Sequence, residues 1–130
     1  MKKGIFLLLI STLFSLGSFA QKAEVLYFKA NLPCCHARSC NALENEVKQV
    51  VTNNFQNGDV VFKVVRLDDK QNEKLIQQHN AKSQTVVIVS KKRNNETSME
   101  VSDIIRQYQR NGNKTELEKE LLAKINQSLR

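Results

Sequence analysis

The side chains able to carry chemistry are concentrated in one segment, where three sulfurs and an imidazole fall within seven residues: Cys34, Cys35, His36 and Cys40. No other cysteine occurs in the chain. A cysteine thiolate is both a nucleophile and a soft metal ligand. The segment therefore predicts thiol chemistry as the basis of function.

Three interpretations of this segment are open. In the first, which we prefer, Cys40 pairs reversibly with Cys34 or Cys35, so that Cys34, Cys35 and Cys40 are catalytic and no cofactor is needed. In the second, the same bond is a permanent structural staple with one spare thiol. In the third, Cys34, Cys35, His36 and Cys40 bind zinc or cuprous copper. Which two cysteines pair stays open.

The spacing of the cysteines departs from the usual redox motif. Four residues separate Cys35 from Cys40 and five separate Cys34 from it, so the pair is not C-x-x-C. Positive charge from Arg38, and the start of a helix if Cys40 lies in its first turn, would favour a thiolate. The loop 81–85 has no proline.

The elements around the segment must place it at the edge of a sheet. Glu24 to Ala30 forms a short bulky run that predicts a buried strand, and Asn31 to Pro33 predicts a turn that leads directly into the cysteines. From Cys40 the apolar residues recur at helical spacing, which predicts an amphipathic helix. The cysteine loop would then open onto the amino end of that helix, at the carboxyl end of the sheet.

The remaining segments complete an α/β pattern. We expect a second strand at 60–67, a short helix capped by Asp68 or Asp69 and ending near Asn80, a third strand at 85–89, and a weaker hairpin strand near 97–101. The capping box Thr115 to Glu118 predicts the start of a final helix. This order predicts a thioredoxin-like three-layer sandwich with a central mixed sheet of about four strands.

The first twenty residues have the pattern of a bacterial secretory signal peptide. Lys2 and Lys3 precede the apolar run Ile5 to Phe14, and small residues follow up to Ala20. We expect cleavage after Ala20, one domain over 21–130, and a periplasmic or secreted location. The partner would then be another exported protein with a thiol or disulfide, and no membrane contact is expected after cleavage.

Charge does not predict a nucleic-acid partner. The net charge is +7, but the basic residues are scattered apart from Lys91 to Arg93, and few aromatic residues accompany them. A nucleic-acid surface would interleave basic and aromatic residues on one face.

The segment from about Val25 to Ser90 resembles a small thioredoxin-like family labelled nitrophenyl compound nitroreductase subunit ArsF. The similar features are Tyr27-Phe28, a cysteine seven residues after Tyr27, Cys40 to Glu44, Phe62 to Val65, and Asn72. The resemblance implies that Cys34 matches the first and Cys40 the second cysteine of a C-x-x-C pair, with Cys35 and His36 in a three-residue insertion. It implies a thioredoxin-like fold and site.

Overall fold

In the part of the chain that the structure describes, four strands form one sheet; the first three are rich in β-branched or aromatic residues, and the fourth is mostly polar. The computed structural model describes residues 21–31 and 34–130, except the side chains of 34–37, so the predicted signal peptide at 1–20 lies outside the described residues. The strands are β1 (Ala23–Lys29), β2 (Val60–Arg66), β3 (Val86–Lys92) and β4 (Asn95–Glu100). Each starts and ends within three residues of its predicted position.

Within the described ranges, four α-helices accompany the sheet: α1 (Cys34–Asn54), α2 (Glu73–Gln78), α3 (Ser102–Asn111) and α4 (Lys114–Leu129). A 3₁₀ turn (Lys70–Asn72) precedes α2, and the side chain of Asp69 caps it, as the sequence predicted. Among the described helices, none combines the length and apolar character needed to cross a lipid bilayer.

The sheet is mixed and has the strand order β2-β1-β3-β4. Strand β1 runs parallel to β2, with Val25 opposite Phe62, and antiparallel to β3, which in turn is antiparallel to β4. A parallel neighbour requires a long crossover, which α1 supplies. This order and these directions confirm the predicted thioredoxin-like α/β sandwich with four strands.

Both faces of β1 are buried, which explains its almost continuous apolar sequence. Val25 and Tyr27 face the larger core, which α1 and α4 close with Val47 and Leu121. Leu26 and Phe28 face the smaller core, against which the side chains of α2 pack. The central strand is therefore fixed on both sides, and the segment that leaves its carboxyl end starts from a rigid support.

Helix α1 begins earlier than the sequence predicted. Its first residue is Cys34, whereas the apolar periodicity placed the start near Cys40. Periodicity missed the first turns because their residues are small or polar and contribute no apolar stripe. Cys40 therefore does not lie in the first helical turn, where the helix start would favour its thiolate, because six residues of α1 precede it.

Two further differences concern the carboxyl half. Helix α3 was not predicted, although Ile104 and Ile105 are buried and Gly112 ends the helix in the left-handed conformation. Helix α4 begins at Lys114 rather than within the predicted capping box, because the Asn113 side chain accepts a hydrogen bond from the backbone N–H of Glu116 at 3.1 Å. Asparagine competes well with threonine as an N-cap.

Candidate functional site

Cys40 is the cysteine of the predicted site whose side chain the structure describes. It lies on α1, next to the carboxyl half of β1. Its residue is 5% exposed and its thiol is free. Tyr27 of β1 lies against it, and its hydroxyl donates to the Cys40 carbonyl at 3.4 Å. The strand therefore positions the helix backbone at this cysteine directly.

The sulfur of Cys40 accepts a hydrogen bond from a side-chain amide. Gln84, in the loop before β3, donates from its Nε2 to the Cys40 Sγ at 2.9 Å. The Oε1 of Gln84 in turn accepts from the Nε2 of Gln109 on α3, at 3.0 Å. Three separate elements, α1, the loop before β3 and α3, thus meet at this sulfur through one chain of hydrogen bonds.

The backbone of Gln84 has an unusual conformation. Its φ is +66°, in the left-handed region that residues with a Cβ adopt reluctantly. Two hydrogen bonds hold it there: the Gln84 N–H donates to the Phe28 carbonyl at 2.8 Å, and the Phe28 N–H donates to the Thr85 carbonyl at 2.9 Å. The proline-free loop is therefore tied to the end of β1, and Gln84 is placed beside the thiol.

Burial also affects the tyrosine beneath the cysteine. The Tyr27 side chain is fully buried, and its pKa is raised well above the ordinary value, first by burial and then by the neighbouring Cys40 and Glu44. Glu44 forms an ion pair with Lys29 at 2.7 Å, which joins the end of β1 to α1 one turn beyond the cysteine. The phenol thus stays protonated and serves as a hydrogen-bond donor.

Two open grooves lie beside the hydrogen-bond partners of Cys40, and Gln109 borders both. The first has a volume of about 460 Å³ and is lined by residues that include Gln84, Ser102, Ile105 and Arg106. The second has a volume of about 380 Å³ and runs between α1 and α3, along Ser39, Ala42, Leu43 and Tyr108.

The other predicted site residues lie at the start of α1. The side chains of Cys34, Cys35 and His36 are outside the described residues, but their backbone is helical. Helix geometry separates the Cα atoms of Cys35 and Cys40 by about 8.6 Å, and those of Cys34 and Cys40 by about 9.8 Å. A disulfide needs its Cα atoms within about 7 Å. Either pairing with Cys40 therefore requires the first turns of α1 to open.

The alternative metal site meets a related geometric obstacle. Consecutive residues of a helix lie about 100° apart around its axis, so Cys34, Cys35 and His36 do not share a helix face. Among the side chains that the structure describes, no group of three or more potential ligands could hold a metal ion. Three of the four predicted ligands are not among those side chains, so the zinc or copper interpretation stays a prediction.

Sequence reasoning did not identify the hydrogen-bond partners of Cys40. Gln84 lies in a polar loop and Gln109 in a helix that the sequence did not predict, so neither had a recognisable signal. Tyr27 was placed correctly in a strand, but the bulky apolar run that contains it indicated only burial. These partners are brought together by the tertiary fold.

The chain shares low sequence identity with two solved structures. No protein-family model and no curated protein matches the chain, so the resemblance to the ArsF family stays a prediction. A solved structure described as that of a malarial protein shares 21% identity over 62% of this chain and 81% of its own, with a TM-score of 0.42. A thioredoxin from Thermus thermophilus shares 16% identity over 66% of this chain and 72% of its own, with a TM-score of 0.47. Both likenesses are too distant to carry an argument.

Proposed function

We propose that this chain exchanges thiols and disulfides with another exported protein. The observation that carries the proposal is the buried Cys40 sulfur, which accepts an amide hydrogen bond from Gln84 at the carboxyl end of β1. Two further cysteines, Cys34 and Cys35, occupy the first turn of the same helix. A hydrogen-bonded sulfur and two further cysteines on the same helix are the groups that the exchange reaction would use.

The burial of Cys40 assigns it the second step. A sulfur in a residue that is only 5% exposed does not reach the disulfide of a protein-sized partner, so the first attack belongs to Cys34 or Cys35. The predicted match to the ArsF family supports the same order, with Cys34 first and Cys40 second. Insulin reduction with Cys34→Ser and Cys35→Ser decides which of the two adjacent cysteines attacks.

The exchange proceeds in two balanced steps. First, the thiolate of Cys34 or Cys35 attacks one sulfur of the partner disulfide, a mixed disulfide forms, and the other partner sulfur leaves as a thiolate. Cys40 then attacks the sulfur of Cys34 or Cys35 in the mixed disulfide, and the second partner sulfur leaves as a thiolate. Two electrons pass from this chain to its partner, and the departing thiolates take protons from water.

The second step requires the first turns of α1 to open. Because helical Cα separations exceed the disulfide range, Cys40 reaches its partner cysteine only if the first turns of α1 open. The C-x-x-C spacing has no such requirement, since residues three apart in a helix lie close together. The reaction of this chain is therefore coupled to local unwinding.

Export belongs to the same proposal. The signal-like segment 1–20 supports removal after Ala20 and a periplasmic or secreted location, where disulfides persist. Expression of the full chain in a bacterium, followed by amino-terminal sequencing of the periplasmic and culture fractions, tests this. A first residue of Gln21 is expected, whereas full-length chain in the cytoplasmic fraction would contradict export.

Reduction of insulin by dithiothreitol tests the activity. The wild-type mature chain should accelerate precipitation of the insulin chains, Cys40→Ser should not, and Cys34→Ser and Cys35→Ser identify the attacking residue by which of them loses activity. Ser98→Ala, at an exposed position on the edge strand β4, is the control and should keep full activity. If the disulfide of the wild-type chain resists dithiothreitol, the bond is a structural staple. If the purified chain contains stoichiometric zinc or copper and has no reductase activity, the chain is a metal carrier. Either result would overturn the proposal.

A further inference from the structure

Asparagine followed by glycine occurs twice in the sequence, at Asn57-Gly58 and at Asn111-Gly112. In this pair the side-chain amide is readily lost, because glycine has no side chain to hinder its backbone nitrogen when that nitrogen attacks the amide carbon. Both asparagines are exposed, and the Oδ1 of each accepts a hydrogen bond from the N–H two residues later, at 3.1 Å for Asn57 and 2.9 Å for Asn111. A donor at this oxygen stabilises the negative charge that develops there during the attack. These shared features do not distinguish the two pairs.

The fold protects Asn111. It is the last residue of α3, and a helical side chain points back toward the amino end of its helix, away from the nitrogen of the next residue. That nitrogen, in Gly112, donates to the Tyr108 carbonyl at 2.7 Å. The Nδ2 of Asn111, which would have to leave, donates to the Glu116 Oε2 at 2.8 Å. The attacking and the leaving nitrogen are thus both held in hydrogen bonds that must break before a ring can close.

Asn57 lacks these restraints. It lies in the turn between α1 and β2, outside any helix. The Gly58 N–H donates to the Phe55 carbonyl at the longer distance of 3.3 Å. Among the described residues, none accepts a hydrogen bond from the Nδ2 of Asn57. The attacking nitrogen is therefore weakly held and the leaving nitrogen is open to solvent.

We infer that Asn57 is a site of spontaneous deamidation and that the folded chain protects Asn111 from the same reaction. The Gly58 nitrogen attacks the Asn57 Cγ and gives up its proton, a C–N bond forms, and the side-chain nitrogen leaves as ammonia with that proton. Water then adds to either carbonyl of the succinimide ring and opens it, which leaves aspartate or isoaspartate at position 57. One water is consumed, one ammonia is released, and no electrons are transferred.

The modified turn supports the start of β1. The Asp59 carbonyl accepts from the N–H groups of Lys22 and Ala23 at 2.8 and 3.1 Å, and the Asp59 carboxylate pairs with Lys22 at 3.0 Å. Isoaspartate lengthens the backbone by one carbon just before this residue and removes the hydrogen bond from the Asp59 N–H to the Asn57 Oδ1. Hydrogen exchange at the Lys22 and Ala23 amides should therefore become faster in the isoaspartyl chain.

Incubation of the purified chain at mildly alkaline pH, followed by proteolysis and mass spectrometry, measures both sites in one sample. We expect Asn57 to lose its amide at least about tenfold faster than Asn111, because the hydrogen bonds at Asn111 and Gly112 must break first. In concentrated urea the two rates should become similar. Asn57→Gln is the matched control, since it keeps an amide whose longer side chain closes a ring far more slowly, and position 57 should then stay unmodified.

Three results would overturn the inference. Equal rates in the folded chain would show that the fold does not protect Asn111. A rate difference that persists in urea would show that the flanking sequence, rather than the fold, separates the two sites. Unchanged exchange at Lys22 and Ala23 in the purified isoaspartyl chain would contradict the effect on β1. None of these measurements involves a cysteine, so failure of insulin reduction would overturn the proposed function and leave them intact.

Discussion

Oxidation should unwind the start of α1, and this prediction follows directly from the position of the helix. The Cys34→Ser chain retains Cys35 and Cys40, which leaves one possible intramolecular disulfide. In the helix their Cα atoms are about 8.6 Å apart, against an upper limit of about 7 Å for a disulfide. Closing the bond must therefore shorten this separation by at least about 1.6 Å, which a continuous helix does not permit.

The size of the change can be estimated from the helix itself. Helix α1 has 21 residues, and the part from Cys34 to Cys40 is one third of it. Because each helical N–H donates to the carbonyl four residues earlier, opening this part removes the acceptors of the amides from Arg38 to about Leu43. Leu43 and Val47 are buried in the larger core and should keep the rest of the helix in place.

Hydrogen exchange with mass spectrometry, together with far-ultraviolet circular dichroism, measures the effect. After oxidation with glutathione disulfide and confirmation of the intramolecular bond by mass, the peptide covering 34–43 should lose protection and the helical signal should fall. Dithiothreitol should restore both. The Cys34→Ser/Cys40→Ser chain, treated in the same way, is the control. A confirmed Cys35–Cys40 bond with unchanged protection and helical signal would refute the reasoning.

Three further predictions concern the support of the site. Because burial raises the pKa of Tyr27, the unfolded chain loses the phenolic proton above the ordinary pKa of about 10, while the folded chain keeps it. Above that pH the free energy of unfolding should fall by up to about 1.4 kcal/mol per pH unit. Urea titrations at pH 10 to 11 should show a shallower fall for Tyr27→Phe. Leu121→Ala, at a fully buried position, should lower the free energy of unfolding by roughly 2–5 kcal/mol in urea denaturation, and a loss below about 1 kcal/mol would contradict its place in the core. Glu44→Gln removes the ion pair between Glu44 and Lys29, and the side chains of both residues are partly exposed. The substitution should lower the free energy of unfolding by less than about 1 kcal/mol in the same assay. A larger loss would show that the ion pair anchors the helix.

The sheet could be predicted from the sequence because its signals are local. Strand β1 has buried residues on both faces, so its bulky run Val25 to Phe28 is nearly continuous and easily recognised. Helix α3 has two adjacent isoleucines in an otherwise polar segment, and its apolar stripe is too short to predict a helix reliably. The start of α1 could not be predicted from periodicity, because residues 34–39 carry no apolar stripe in the sequence.

The site could be predicted only in part. The sequence identified Cys40, because cysteine is rare and chemically distinct, but its burial and its partners follow from tertiary contacts. Gln84 reaches the sulfur across 44 positions of sequence, and the φ of +66° that directs it has no marker in a glutamine. Glycine or asparagine would have indicated a left-handed position.

The role of Cys40 as the cysteine that releases the partner is tested most directly by trapping. The mature Cys40→Ser chain, incubated with an oxidised peptide that contains one disulfide, should accumulate a covalent adduct, and proteolysis with mass spectrometry should locate the bond at Cys34 or Cys35. The wild-type chain should pass through this adduct and end with a reduced peptide and an internal disulfide that includes Cys40. A Cys40→Ser chain that forms no adduct, or one that still releases fully reduced peptide, would contradict the account.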